Sequence, residues 1–250
     1  MLVQAGRVAL AHFRDVAVRR KADGSTLTDA DLAAERVLVA ALRDAFPGDG
    51  IVSEEGAAVT AESGHGTWYV DPIDGTSVFT EGLAHWGPTV ARLHGGRWDL
   101  GGFYQPRLDE FWFASREHGA DRDGHPLTPI STAPPKHRTM MLPSRSHLAG
   151  PMPWRGKSRA LGSTAAHLAM VAGGGASAVV VPSWSPWDVG CGLLLLELTE
   201  HAVVDLSGAP MDPMLHERAP FIAGHPALLD DLAAAVRLAI PAAHAPFDRT

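Results

Sequence analysis

Cysteine is nearly absent from this chain, and other common features are missing altogether. The 250 residues contain one cysteine, Cys191, which excludes disulfides and cysteine zinc sites within the chain. Because Cys191 lies in an apolar run, we expect it to be a buried small residue. No stretch approaches the roughly 18 uninterrupted apolar residues of a membrane span. Residues 1–13 lack the basic start and cleavage pattern of a signal peptide, so a cytoplasmic protein with no membrane partner is expected.

Basic residues are also scarce relative to acidic ones. Lys and Arg total 21 against 28 Asp and Glu, which gives a net charge of −7. With no run of basic residues or interleaved aromatics, the sequence argues against nucleic acid as a partner. The 13 histidines include no pair spaced for zinc and are interpreted as surface or cap residues. Residues 173–175 are three glycines without the lysine of a nucleotide phosphate loop, and they predict a helix end.

Apolar periodicity predicts a mixed α/β fold. Helical spacing indicates two amphipathic helices at the start of the chain, and further on the pattern predicts two more helices and a set of strands. The helices are predicted at 2–14, 29–45, 163–172 and 189–198. The strands are predicted at 51–53, 67–70, 89–93, 98–104, 110–114 and 176–181, with Gly95-Gly96 as a hairpin turn. Two prolines in 131–135 suggest a boundary near 130, which divides the chain into units 1–130 and 131–250.

Two carboxylates, a glycine and a hydroxyl follow the apolar strand that contains Trp68. Their order is Asp71-Pro72-Ile73-Asp74-Gly75-Thr76. Because proline cannot donate to a sheet ladder, the strand is expected to stop at Asp71. Gly75 permits a tight turn, and Thr76 is expected to cap the helix that follows. Such a helix start attracts a phosphate, while the two carboxylates offer the hard oxygen ligands that Mg²⁺ prefers.

Two further acidic points lie elsewhere in the chain. Glu54 and Glu55 follow a short apolar pair, and Asp188 comes directly after Trp187. Taken singly, each has an ordinary interpretation, because acidic pairs are often solvated and a lone aspartate often caps a helix. Asp31, in the first turn of a predicted helix, would by itself be a surface carboxylate favoured by the helix dipole. The order of these motifs along one chain is what carries the functional prediction.

That order resembles the inositol monophosphatase family of metal-dependent, lithium-sensitive phosphatases. The likeness covers nearly the whole chain and also includes Lys21 to Ser25, Phe46-Pro47, Gln105-Pro106 and Leu161-Gly162-Ser163. The resemblance implies a layered αβαβα sandwich, two or three Mg²⁺ ions and a homodimer.

The resemblance also implies a role for each matching residue. Metal ligands would be Glu54, Asp71 and the carbonyl of Ile73 for one Mg²⁺, and Asp71, Asp74 and Asp188 for another, with Glu54 reaching a third. Asp31 and Thr76 would orient and deprotonate the attacking water. The N–H groups of Gly75 and Thr76 would bind the phosphate oxygens. Gly162, Ser163 and Trp187 would contact the rest of the substrate.

The substrate is less sharply predicted. Inositol phosphatases commonly carry an acidic residue in the region that corresponds to 179–182, and this chain has none there. Residues 84–87 look more like histidinol-phosphatase members of the family. We therefore expect a Mg²⁺-dependent phosphomonoesterase that acts on a small polar alcohol phosphate, either histidinol phosphate or inositol monophosphate. Two alternatives are open: a sugar or cyclitol phosphatase of a specialised pathway, and a non-catalytic phospho-ligand-binding protein on the same scaffold.

Overall fold

Two large β-sheets and the helices around them make up the fold. A computed structural model describes residues 1–21, 24–131, 138–144, 146, 152–212 and 219–239. The helices in these residues are α1 (Leu2–Ala11), α2 (Asp29–Ala45), α3 (Thr76–Thr80), α4 (Thr164–Ala172), α5 (Pro186–Leu198) and α6 (Pro226–Ala239). None of them has the length and apolar character needed to cross a bilayer.

The strands fall into three sheets. The strands of the first half are β1 (Val18–Arg20), β2 (Thr26–Thr28), β3 (Gly50–Ser53), β4 (Ala58–Val59), β5 (Thr67–Asp74), β6 (Gly87–His94), β7 (Arg97–Gln105), β8 (Glu110–Ser115), β9 (Gly119–Arg122) and β10 (His125–Pro126). Those of the second half are β11 (Thr139–Met141), β12 (Lys157–Arg159), β13 (Ala178–Val181), β14 (Ala202–Asp205) and β15 (Phe221–Gly224).

In the described parts of the chain, the larger sheet has eight strands and the smaller has five. The strand orders are β10-β9-β8-β7-β6-β5-β3-β4 and β12-β11-β13-β15-β14, and β1 pairs with β2 in a separate hairpin. In the larger sheet β3 and β5 run parallel while the other neighbours are antiparallel. The parallel pair matters for the site, because the ends of β3 and β5 meet at one edge of the layer.

Three apolar clusters fix the order of the layers. The first packs α1 and α2 on the larger sheet, the second packs α4 and α5 between both sheets, and the third packs α6 on the smaller sheet. Representative buried members are Leu38 and Trp68 in the first, Phe103, Leu194 and Val179 in the second, and Ile222 and Leu232 in the third. The resulting layers confirm the expected αβαβα sandwich.

Most predicted elements are present, with shifted bounds. The α1 helix ends at Ala11 rather than at 14, and the helix predicted from 189 begins at Pro186, a residue suited to the first turn. Gly95 and Gly96 turn between β6 and β7 with φ of +58° and +76°, as expected for a hairpin. The division at residue 130 stays a prediction, and 132–137 of its proposed linker lie outside the described residues.

The histidine interpretation was wrong in part. His167 on α4 is buried rather than at the surface. His225 is also buried, but it directly precedes α6 and accepts from the Ala227 N–H, as expected of a cap residue. Both rings are tolerated there because each one hydrogen-bonds to backbone groups. Cys191 is buried in α5, as expected.

Candidate active site

The end of β5 departs from the predicted strand boundary. The strand continues through Pro72 to Asp74, with a register shift against β6 between Asp71 and Asp74. The expected stop at Asp71 is therefore wrong. The bulge accommodates a residue that cannot donate to the ladder, and the Ile73 N–H donates instead to Asp71 Oδ1 at 2.8 Å. This local turn holds the Asp71 carboxylate at the rim of the sheet.

Gly75, rather than Thr76, occupies the cap position of α3. Its φ of +92° lies in the left-handed region that favours glycine, so the turn requires this residue. Thr76 is the first helical residue, and the prediction that it caps the helix was wrong. The Thr76 hydroxyl instead lies 3.0 Å from the Ile73 carbonyl oxygen and 3.3 Å from Asp31 Oδ1.

Three carboxylates from three separate elements converge next to this turn. Oxygen atoms of Glu54, Asp71 and Asp188 all lie within 4.8 Å of one another. Glu54 follows β3, and its N–H donates to the Val70 carbonyl at 3.0 Å, which keeps it beside β5. Asp188 lies in the first turn of α5, where its Oδ2 accepts from the Ser185 N–H at 2.7 Å. The parallel β3–β5 pair and the start of α5 thus build the cluster.

Asp74 lies beside the cluster and binds the start of α4. It accepts hydrogen bonds from the Ser163 hydroxyl, from the Ala165 N–H at 2.8 Å and from the Thr164 N–H at 3.3 Å. Burial raises the pKa of Asp74 to about 6 despite these three donors. Sequence patterns did not reveal that Asp74 anchors α4, because the partners are about 90 residues away in the chain.

Asp31 is held by the cap of α2. Its Oδ2 accepts from the Thr28 N–H at 2.7 Å and from the Thr28 hydroxyl at 2.6 Å, which closes a capping box. The other oxygen, Oδ1, faces Thr76. Burial raises the pKa of Asp31 above its ordinary value. Asp31 is therefore not the surface carboxylate of the ordinary interpretation: it is buried, and its two oxygens face Thr28 and Thr76.

Lys21 is a residue of the site to which no sequence pattern assigned a role. Its Nζ lies 3.1 Å from Glu54 Oε1 and 2.8 Å from Glu55 Oε2. The nearby Ala22 and Asp23, part of the loop on which the resemblance was drawn, lie outside the described residues. The sequence offers no local sign of this contact, because Lys21 lies 33 residues before Glu54. Only the fold shows that the lysine reaches both carboxylates.

The substrate-side residues lie at the starts of α4 and α5. Ser163 caps α4 and Gly162 precedes it with a φ of +84°, while Trp187 is half-buried in the first turn of α5. The Leu161 N–H donates to His167 Nε2 at 2.8 Å, which fixes the entry to this turn. Burial, with a smaller effect of nearby His85, lowers the pKa of His167 to about 4, so its ring is neutral.

The donor set of the cluster fits a divalent cation. Burial, followed by the charges of Glu54, Asp74 and Asp188, raises the pKa of Asp71 well above its ordinary value. Carboxylates gathered in a buried place repel one another, and a hard cation is the partner that would relieve the repulsion. Oxygen donors without histidine or cysteine are typical of Mg²⁺ rather than zinc.

The sequence matches a known family over nearly its whole length. A profile described as the inositol monophosphatase family matches residues 2–240. An inositol-1-monophosphatase of Mesorhizobium japonicum is 31% identical over 224 residues, covering 82% of this chain and 83% of the relative. A histidinol-phosphatase of Chlorobaculum parvum is 29% identical over 216 residues, covering 82% and 83%. The Nus factor SuhB of Escherichia coli is 28% identical over 204 residues, covering 77% and 76%.

Solved structures share the fold. The inositol monophosphatase of Thermotoga maritima superposes with a TM-score of 0.84 at 27% identity, covering 95% of this chain and 94% of the other. A dual inositol monophosphatase/NADP phosphatase, solved with Mg²⁺ and phosphate, superposes with a TM-score of 0.78 at 20% identity, covering 93% and 90%. The second likeness supports the fold alone.

Fold, site and sequence together define the class of protein. A layered α/β sandwich with this carboxylate cluster, matched along its length by phosphatases, is a phosphoric monoester hydrolase. The chain belongs to the inositol monophosphatase family.

Proposed function

We propose that the chain is a Mg²⁺-dependent phosphomonoesterase acting on a small polar alcohol phosphate. The observation that carries the proposal is the convergence of Glu54, Asp71 and Asp188 within 4.8 Å, next to the turn at Gly75. The all-oxygen donor set of this buried cluster supports the choice of Mg²⁺.

The residues divide into four roles. Glu54, Asp71, Asp74, Asp188 and the carbonyl of Ile73 would hold Mg²⁺. When bound, Mg²⁺ supplies charge neutralisation of the phosphate dianion, activation of water and stabilisation of the leaving oxygen.

The N–H groups of Gly75 and Thr76 would bind phosphate oxygens. They lie at the start of α3, directly after the carboxylates of β5. Gly162, Ser163 and Trp187, at the starts of α4 and α5, would contact the alcohol portion of the substrate.

Asp31 and Thr76 would deprotonate the attacking water. Thr76 Oγ1 accepts the proton of the water as its own proton passes to Asp31 Oδ1, 3.3 Å away. The water oxygen forms the new bond to phosphorus and the ester P–O bond breaks. The departing alkoxide takes a proton from a solvent water, and Asp31 returns its proton to the hydroxide left in the solvent. The Thr28 bonds to Oδ2 hold Asp31 with Oδ1 toward Thr76 throughout.

Histidinol phosphate and inositol monophosphate are the leading substrates. Relatives named for each activity match the chain at nearly equal identity, 29% and 31%. The strand β13, where inositol phosphatases commonly carry an acid, is here a buried apolar strand from Ala178 to Val181. This difference weighs against inositol phosphate and leaves sugar or cyclitol phosphates as alternatives. A cytoplasmic homodimer is part of the same proposal.

A substrate panel tests the proposal. Phosphate release is measured from histidinol phosphate, inositol 1-phosphate, sugar phosphates and adenosine bisphosphate, each with Mg²⁺, with EDTA and with added lithium. We expect one preferred substrate, whose hydrolysis stops in EDTA and is inhibited by lithium. Turnover that persists after complete removal of divalent cations would refute the metal role, and no turnover of any ester would favour the non-catalytic binding protein.

A further inference from the structure

A separate cavity lies at the opposite ends of α4 and α5 from the carboxylate cluster. Both helices begin at the candidate active site, where Ser163 caps α4 and Asp188 lies in the first turn of α5. The residues just beyond their carboxyl ends, Gly173 to Gly175 and His201, line a cavity of about 960 Å³. The nine residues of α4 span about 14 Å, so the cavity is distinct from the active site.

The charged side chains that line this cavity are all basic among the residues that the structure describes. They are Arg138, just before β11, and Arg155 and Lys157 at the start of β12. Arg138 is partly neutralised, since its Nη1 lies 3.7 Å from Asp231. No ion pair involves Arg155 or Lys157 within the described parts of the chain. Two exposed cations at a cavity mouth in a chain of net charge −7 indicate an anionic ligand.

The neutral groups of the cavity narrow the ligand further. Leu127, Ile130 and Ala172 give part of the wall an apolar surface, which disfavours a bare inorganic anion as the ligand. Burial lowers the pKa of His201 to about 4, so this ring adds no positive charge. Thr128 and Thr139 also line the cavity. A ligand with one anionic group on a small organic body fits both the cations and this wall.

His225 lines the wall, but both of its ring nitrogens already form hydrogen bonds to backbone groups. Its Nδ1 accepts from the Ala227 N–H at 3.2 Å, so its Nε2 carries the proton and donates to the Ser131 carbonyl at 2.9 Å. The ring therefore holds two segments of the wall together. Cationic recognition rests on the arginines and Lys157.

We propose that this cavity is a second ligand site, which binds a small organic phosphate ester. Arg155 and Lys157 hold the phosphate, and the uncharged part of the wall contacts the organic portion. The volume falls within the range of small-molecule sites, and a wall that combines apolar side chains with a few polar groups suits an organic ester rather than a bare inorganic anion. The proposal does not require the chain to hydrolyse that ligand.

Calorimetric titration of the full chain with glycerol 1-phosphate tests the site. The protein is first stripped of divalent cations on a chelating resin, which prevents turnover and leaves no competing chelator in solution. Saturable binding is expected, and the variant that carries both Arg155→Ala and Lys157→Ala should bind about tenfold more weakly. Arg159→Ala is the matched control, because Arg159 is an exposed cation on the same strand that does not line the cavity. Its affinity should stay within about twofold of the unmodified protein.

Three results would overturn the proposal. The first is the absence of saturable binding at glycerol 1-phosphate concentrations on the order of 10 mM. The second is an equal loss of affinity in the double variant and in Arg159→Ala. The third is that uncharged glycerol binds as tightly as glycerol 1-phosphate. Equal thermal midpoints of the variants check that they remain folded. Because the titration measures binding and not turnover, a chain that fails every phosphatase assay can still pass this test, and the two proposals fail separately.

Discussion

At the scale of single residues, Asp74 combines two demands that a sequence motif does not distinguish. Its carboxylate borders the cluster of Glu54, Asp71 and Asp188, and Asp74 is itself one of the proposed metal ligands. The same carboxylate also accepts three hydrogen bonds from the start of α4. Only an acceptor with several lone pairs can take all three donors. The residue is therefore expected to affect stability as well as turnover.

We expect Asp74→Asn to lower both quantities. The amide nitrogen of asparagine would face backbone N–H donors, and the unfolding free energy should fall by about 1–2 kcal/mol, the usual cost of a lost helix cap. The value of kcat should fall by about 100-fold or more, since a charge contact in the transition state is lost. Urea unfolding and phosphate release measure the two effects. Asp44→Asn, an exposed position on α2, is the control, and unchanged turnover in Asp74→Asn would refute the proposed mechanism.

The Thr76 hydroxyl provides a sharper test of the water-activating pair. Thr76→Val keeps the shape of the side chain but removes the oxygen that lies 3.3 Å from Asp31 Oδ1, and kcat should fall by about 100-fold. Thr76→Ser retains the oxygen and should stay within about tenfold of the unmodified enzyme. Steady-state kinetics on the preferred ester separates the two variants. Equal losses in both would indicate that Thr76 acts by packing rather than by proton transfer.

At the scale of elements, the sequence predicted the helices and strands better than their ends. Spacing of apolar residues predicted α2 because one-sided burial creates a period that local residues carry. The rule that Pro72 ends β5 failed, because the bulge before Asp74 depends on pairing with β6. The prediction that Thr76 caps α3 failed for a similar reason. Gly75 occupies the cap position because the backbone turn there has a left-handed φ, and no capping side chain is involved.

The helix α4 also carries a pH-sensitive group. His167 Nε2 accepts from the Leu161 N–H, and burial lowers its pKa to about 4 from an ordinary value of 6.5. Above pH 6.5 the ring is neutral in the folded and unfolded chain, and it contributes no pH dependence. Between about 6.5 and 4 the unfolded chain binds a proton that the folded chain does not, so stability falls as the pH falls.

The expected slope is at most about 1.4 kcal/mol per pH unit for this one proton. His167→Gln removes the titrating group, and the difference between the two proteins isolates it from the carboxylates that titrate in the same range. Urea unfolding at pH 7, 6, 5 and 4.5 gives the comparison. A constant difference in unfolding free energy across that range would show that His167 is not held neutral.

At the scale of the whole molecule, the sequence indicated which residues belong to the site but not how they meet. Asp31, Glu54, Asp71 and Asp188 were all named from motif order, and the fold brings the last three within 4.8 Å. Their roles remain predictions. Lys21, the anchoring of α4 by Asp74 and the basic cavity depend on contacts between distant segments, and no local pattern encodes such contacts. The layered fold was predictable only through the resemblance, because periodicity alone gives mixed α/β.

The carboxylate cluster makes the stability of the whole chain dependent on divalent cations. Without a cation, the buried Asp71 is close to three other carboxylates, and this repulsion opposes folding. A cation that binds only the folded chain stabilises it by about 2.7 kcal/mol at a concentration 100 times its Kd, which corresponds to ~5 °C or more for a chain of this size. We therefore expect Mg²⁺ to raise the thermal midpoint, and sodium at equal ionic strength to leave it nearly unchanged.

Asp71→Asn separates cation binding from a general effect of salt. The substitution should raise the stability of the metal-free protein and reduce the stability that Mg²⁺ adds. The variant should be more stable than the unmodified protein when metal-free, since a buried like charge is removed. It should gain less from Mg²⁺, since a shared ligand is lost. Asp44→Asn, whose side chain is exposed on α2, should respond to Mg²⁺ as the unmodified protein does. An equal Mg²⁺ shift in all three proteins would place the stabilising ion outside the cluster, and the assignment of Glu54, Asp71 and Asp188 as metal ligands would then be wrong.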